Sequence, residues 1–119
     1  MNKVNLVQKL ASFDDIWSPK IVAELNGQNV KLVKLKGKFT RHRHEQEDEL
    51  FLVLSGNLSI ELENGIIHLE EGELVVIPAG TPHRPVAEEL CEVLLFEPGS
   101  TCNTGDVKDH FTVDSPDWI

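Results

Sequence analysis

From Ile21 to Glu97 this chain never holds a helical period. It advances in apolar runs of roughly four to eight residues, each stopped by Gly, Pro, Asn or Asp. Ile21–Leu25 and Asn29–Lys36 flank Asn26-Gly27, a pair suited to a two-residue hairpin because both central positions of that turn need positive φ. Strands are predicted next over Lys38–His44, Glu49–Leu54 and Leu58–Glu63. A second such turn, Asn64-Gly65, leads to Ile66–Leu69, Leu74–Ile77 and Leu90–Glu97. About eight short strands in roughly 75 residues predict a β-sandwich or barrel. Met1–Ser18 reads as a loosely structured arm with room for one helical turn. The tail after Pro98 is expected to wrap the surface, with Trp118 pinning its end.

The 119 residues suit one domain, 1–119, with a modest core. A net charge of −9 and a pI near 4.9 argue against nucleic acid or an anionic membrane as partner, since both call for a basic face. Met1–Leu10 lacks the apolar core of a secretion signal, and no apolar run approaches the roughly 18 residues of a membrane span, so a cytoplasmic protein is expected. Cys91 and Cys102 are too few for a disulfide framework and are read as thiols, Cys91 as a small core residue.

The chemistry concentrates in two stretches. In an extended segment His42 and His44 project from one face about 7 Å apart and can share one ion, while Arg41 and Arg43 face away. Glu49 opens the following strand after the short polar connection Glu45–Asp48. Asp48 competes with it as a ligand. Further on, Pro78 ends the Leu74–Ile77 strand, and Gly80 permits the bend that delivers His83. His68 and His110 have no partner at ligand spacing and read as solvated.

These residues resemble the cupin superfamily. His42, His44, Glu49 and Gly56 match its first motif, G-x(5)-H-x-H-x(3,4)-E-x(6)-G, except that Gly37 lies one residue too close. Gly72, Pro78, Gly80 and His83 match the second, with Ala87 where an Asn belongs. The resemblance implies an all-β fold, a double-stranded β-helix or jelly-roll barrel, with a motif-bearing core at about residues 30–97. It also implies that His42, His44, Glu49 and His83 hold one divalent transition metal, Fe, Mn, Ni, Co or Zn. Such a metal should leave as the imidazoles protonate, below about pH 5 to 6.

On that parity Lys38, Thr40, Phe51, Val53, Leu58, Ile60 and Leu62 point inward, and Thr40, Phe51 and Arg84 are candidates for a substrate pocket. Leu50, Leu52 and Leu54 then face outward as an apolar patch that needs a cover, either the N-terminal arm or a second subunit in a homodimer. The expected function is a metal-dependent enzyme acting on a small polar metabolite by dioxygenase- or decarboxylase-like chemistry. The alternatives are a small-molecule or metal-binding module, a closed structural ion, or a sugar isomerase-like protein. A chain with no Tyr lowers the sugar epimerase reading, because the resemblance places a His and a Tyr in such pockets.

Overall fold

Strand alternation builds the molecule, and one long strand organises it. The computed structural model describes residues 1–119. One short helix, α1 (Leu6–Leu10), precedes eight strands: β1 (Lys20–Leu25), β2 (Gln28–Lys38), β3 (Glu49–Ser55), β4 (Leu58–Leu62), β5 (Gly65–Leu69), β6 (Leu74–Ile77), β7 (Arg84–Pro98) and β8 (Asp117–Trp118). β7 pairs along nearly its whole length with β2. Its other edge is shared: Arg84–Val86 pair with β4, and Glu92–Phe96 with β3, which in turn pairs with β6. The full order is β5-β4-β7-β2-β1-β8, with β3 and β6 branching from β7.

Side chains of alternate parity from these strands meet in one core that includes Val33, Leu35, Phe51, Val53, Ile60, Cys91, Val93 and Leu95. Cys91 is fully buried there, and burial pushes its thiol up to about 11. Neither cysteine is bonded to the other. Gly56 turns β3 into β4 at φ +89°, and a Cβ there would lie 2.8 Å from the Leu90 carbonyl oxygen, so only glycine fits this crossing. No helix is long and apolar enough to cross a membrane.

Three expectations are corrected. The strand over Lys38–His44 does not form: β2 runs on to Lys38, and the segment beyond it touches the sheet at the single bridge His42–His83. Because the ladder breaks after Phe39, alternation is not continuous up to His42. Phe39 is therefore buried, Lys38 is exposed, and Thr40 is only half-buried. The last predicted strand starts at Arg84 rather than Leu90, despite Pro85, which has no N–H to donate but whose carbonyl accepts from Phe39 N at 3.0 Å.

The N-terminal arm is better ordered than its composition suggests. Asn5 caps α1 by accepting from Gln8 N, and Leu10 and Phe13 then pack on Val22 and Leu32 of the outer sheet face. Trp17 enters the barrel core itself, stacked on Phe39 at a centroid distance of 4.6 Å, with its indole N–H donating to the Lys36 carbonyl. At the other terminus the backbone of Trp118 pairs with Ile21, while its side chain is exposed, so β-pairing rather than the indole secures the tail.

Candidate metal centre

Local backbone chemistry aims the imidazoles. Antiparallel bonds between His42 and His83 (N to O, 3.0 and 2.8 Å) fix the two residues side by side at one end of the barrel. His42 Nδ1 lies 2.7 Å from the Thr40 carbonyl, and His83 Nδ1 lies 2.8 Å from the Thr81 carbonyl. A carbonyl can only accept, so in each ring Nδ1 carries the hydrogen and Nε2 is left with its lone pair. Of these two Nε2 atoms, that of His83 meets Glu49 and that of His42 meets His44. This arrangement, a ring N–H held by a backbone carbonyl, orients metal-ligating histidines in general.

The four expected residues converge. One donor atom from each of His42, His44, Glu49 and His83 lies within 4.8 Å of every other, and all four residues are buried. His42 Nε2 and His44 Nε2 are 3.2 Å apart, and Glu49 Oε1 is 3.4 Å from both His44 Nε2 and His83 Nε2. Two of these buried atoms, Glu49 Oε1 and His83 Nε2, have no hydrogen-bond partner. Orphaned buried donors and acceptors are rare because each costs free energy, so a cluster of them aimed at one point fits a cation. Neutral imidazoles with one carboxylate suit a divalent transition ion.

The electrostatics agree. Burial, with His83 next, pulls the His42 imidazole down to about 4, keeping it neutral and ready to ligate. Burial alone would raise the Glu49 carboxyl, and only positive charge beside it, a protonated neighbouring imidazole or a bound ion, brings it below its ordinary value. Asp48 does not compete: it is exposed, and its side chain accepts from Ala79 N at 2.8 Å. Arg41 and Arg43 point away from the cluster, as expected, and are exposed. His68 and His110 are exposed as well; His68 contacts Ser59 on the neighbouring strand.

The substrate-pocket candidates divide. Phe51 lines a cavity of about 30 Å³ beside the cluster, together with Trp17, Phe39, Leu95, His42 and Glu49. Thr40 turns away instead, donating to Asp109 of the C-terminal tail at 2.5 Å. Arg84 is also elsewhere, its guanidinium bound to Glu61 at 2.7 and 2.8 Å on the face opposite His83.

Sequence reasoning missed Trp17, Phe39 and a buried ion pair, Lys31–Glu97. Lys31 Nζ donates to Glu97 Oε1 at 3.0 Å with both side chains 2% exposed. Glu97 also touches Glu49, and burial, then the Glu49 charge, raises its carboxyl well above the ordinary value. The signal was available in strand parity, since Lys31 shares a face with Val33 and Leu35, and Glu97 with Val93 and Leu95.

Comparison with known proteins agrees with this geometry. The Cupin domain family matches residues 30–97. A solved cupin-2 domain protein of Shewanella frigidimarina is 41% identical and superposes with a TM-score of 0.79 over 80% of this chain and 93% of that one. The uncharacterized protein YdbB of Bacillus subtilis is 36% identical over 53% of this chain and 57% of its own length. An acireductone dioxygenase of Sulfurihydrogenibium is 36% identical over 52% of this chain and 37% of its own. The chain thus spans about half the length, or less, of these two curated relatives. With the family match covering both histidine motifs and the jelly-roll sheet around them, the chain belongs to the cupin family.

Proposed function

We propose that the chain binds one divalent transition metal through His42, His44, Glu49 and His83 and uses it to act on a small oxygen-bearing metabolite. The observation that carries this reading is the convergence of four buried donor atoms, two of them without any partner in the protein. Bound there, such an ion supplies Lewis acidity toward a substrate oxygen or a place to activate O₂. The chain's own contribution is orientation and dryness. The Thr40 and Thr81 carbonyls fix two imidazoles, and Phe39 and Phe51 keep bulk water from the donor set. A relative named acireductone dioxygenase supports oxygen chemistry. Elemental analysis of anaerobically purified protein, followed by O₂ uptake with small diols and acids, tests it. A metal-free protein with no affinity for divalent ions would overturn the reading.

A homodimer is the second part of the proposal. Leu54 packs against the N-terminal arm, which therefore covers one end of the outward patch. Leu50 and Leu52 at the other end remain half-exposed, opposite exposed Val76 and Leu74 of β6. A second copy of the chain is the proposed cover. The two free thiols suit a reducing compartment such as the cytoplasm.

A further inference from the structure

A glutamate has more rotatable bonds than a histidine, so holding its carboxylate at one point calls for a second contact behind it. His42 and His83 have theirs in the Thr40 and Thr81 carbonyls. For Glu49 the contact comes from across the sheet. Leu50 of β3 pairs with Phe96 of β7, which sets Glu49 opposite Glu97, and the two carboxyls lie in hydrogen-bonding contact. On the other edge of β7, Asn29 pairs with Glu97, and Lys31, two residues further along the same face, donates to Glu97 Oε1 at 3.0 Å. Lys31, Glu97 and Glu49 thus form a buried row across three strands that ends at the donor cluster.

Stability alone does not account for this row. Replacing a buried ion pair by apolar residues of similar size is often neutral or stabilising, and the neighbours on the same faces, Val33 and Leu35 of β2 and Val93 and Leu95 of β7, are apolar. Glu97 is not one of the four converging donors. Its Oε1 takes the Lys31 ammonium, while its Oε2 is buried with no hydrogen-bond donor of the protein in reach, and the group it has left to meet is the Glu49 carboxyl. The ammonium fixes one end of the Glu97 carboxyl, so the other end is presented to Glu49 in a set orientation.

We propose that Glu97 is a positioning residue for the metal centre: anchored by Lys31, it holds the Glu49 carboxyl so that Oε1 faces the ion. This rests on the metal reading above and extends the centre from its four ligands to the pair behind them. Lys31 acts through Glu97, and Glu97 acts through Glu49. The pair does for the carboxylate what the Thr40 and Thr81 carbonyls do for two of the imidazoles.

The test compares double variants of the full-length chain that lack both buried charges, titrated anaerobically with Co²⁺ and followed by the visible absorption of the ion, which reports its ligand geometry. Lys31→Met with Glu97→Leu removes the contact to Glu49. Lys31→Met with Glu97→Gln removes the same charges but keeps an amide that can donate to Glu49. The Leu variant should bind Co²⁺ at least tenfold more weakly than the wild type, with an altered spectrum, and the Gln variant within about threefold, with the wild-type spectrum. Lys31→Met with Glu97→Met, a different shape that also lacks a donor, should bind as weakly as the Leu variant and serves in its place if that variant does not fold. Equal affinity and spectrum across the Gln and apolar variants, whether all native or all weakened, overturn the positioning role while leaving the metal reading intact. A wild type that binds no Co²⁺ overturns both.

Discussion

Glu49 Oε1 and His83 Nε2 face each other across 3.4 Å with no hydrogen-bond partner for either atom, in side chains no more than 4% exposed. Left alone, such a pair is a cost to the fold, since each buried atom has lost its water and gained no protein partner. An ion between them would turn that cost into affinity. The following predictions test this relationship and the scaffold around it.

Acid should destabilise the metal-free protein before it reaches the usual carboxylate range. His42 titrates near 4 in the folded chain and near 6.5 in the unfolded one. As the folded value is depressed, the unfolded chain takes up the proton first. Stability is complete above about pH 6.5 and declines as pH falls toward about 4, by up to about 3 kcal/mol from this group. The same depression moves proton competition with the metal below the pH 5 to 6 expected of an ordinary histidine. Urea midpoints measured from pH 7.5 to pH 4.5 check this, and a flat profile would contradict it.

Lys31→Met should be severe. It leaves Glu97 buried beside Glu49 with no cation, so the carboxyl must stay unpaired or take up a proton, and breaking a buried pair from one side costs up to roughly 3–5 kcal/mol. Adding Glu97→Leu should recover most of the loss, because removing both charges leaves no uncompensated group. Denaturant unfolding of the single and double variants measures both. Additive losses would mean that the pair is not the relevant unit.

Leu52→Glu should dissociate the proposed dimer into soluble monomers that still bind metal, since Leu52 faces outward between Leu74 and Leu94 while Phe51 and Val53 face the core. Each leucine buried at an interface is worth roughly 1.5–3 kcal/mol before the entropy of association is subtracted. Sedimentation at micromolar concentration reads the outcome. A wild-type monomer would contradict the dimer and leave Leu50 and Leu52 half-exposed.

Much of this site was legible because it depends on local rules. The alternation of exposed Arg41 and Arg43 with buried His42 and His44 follows from an extended backbone, and Pro78 and Gly80 mark the bend before His83. The missed features depend on long-range packing. Trp17 sits in a segment without periodicity, at φ 62°, and becomes a core residue only because Phe39 and Phe111 arrive from distant parts of the chain. Lys31 and Glu97 are separated by 66 residues and meet only through the β2–β7 ladder. The inward assignment of Lys38 failed for a complementary reason: parity was carried through a break in the strand at Phe39 and Thr40, where no ladder enforces it.

The most direct test of the account is metal stoichiometry, measured by elemental analysis of the wild type and of His44→Ala and His83→Ala. The wild type should hold one divalent transition ion per chain. Each variant should lose it or bind it at least tenfold more weakly, with the β-sheet circular dichroism retained. Native loading and affinity in both variants would contradict the assignment of the centre.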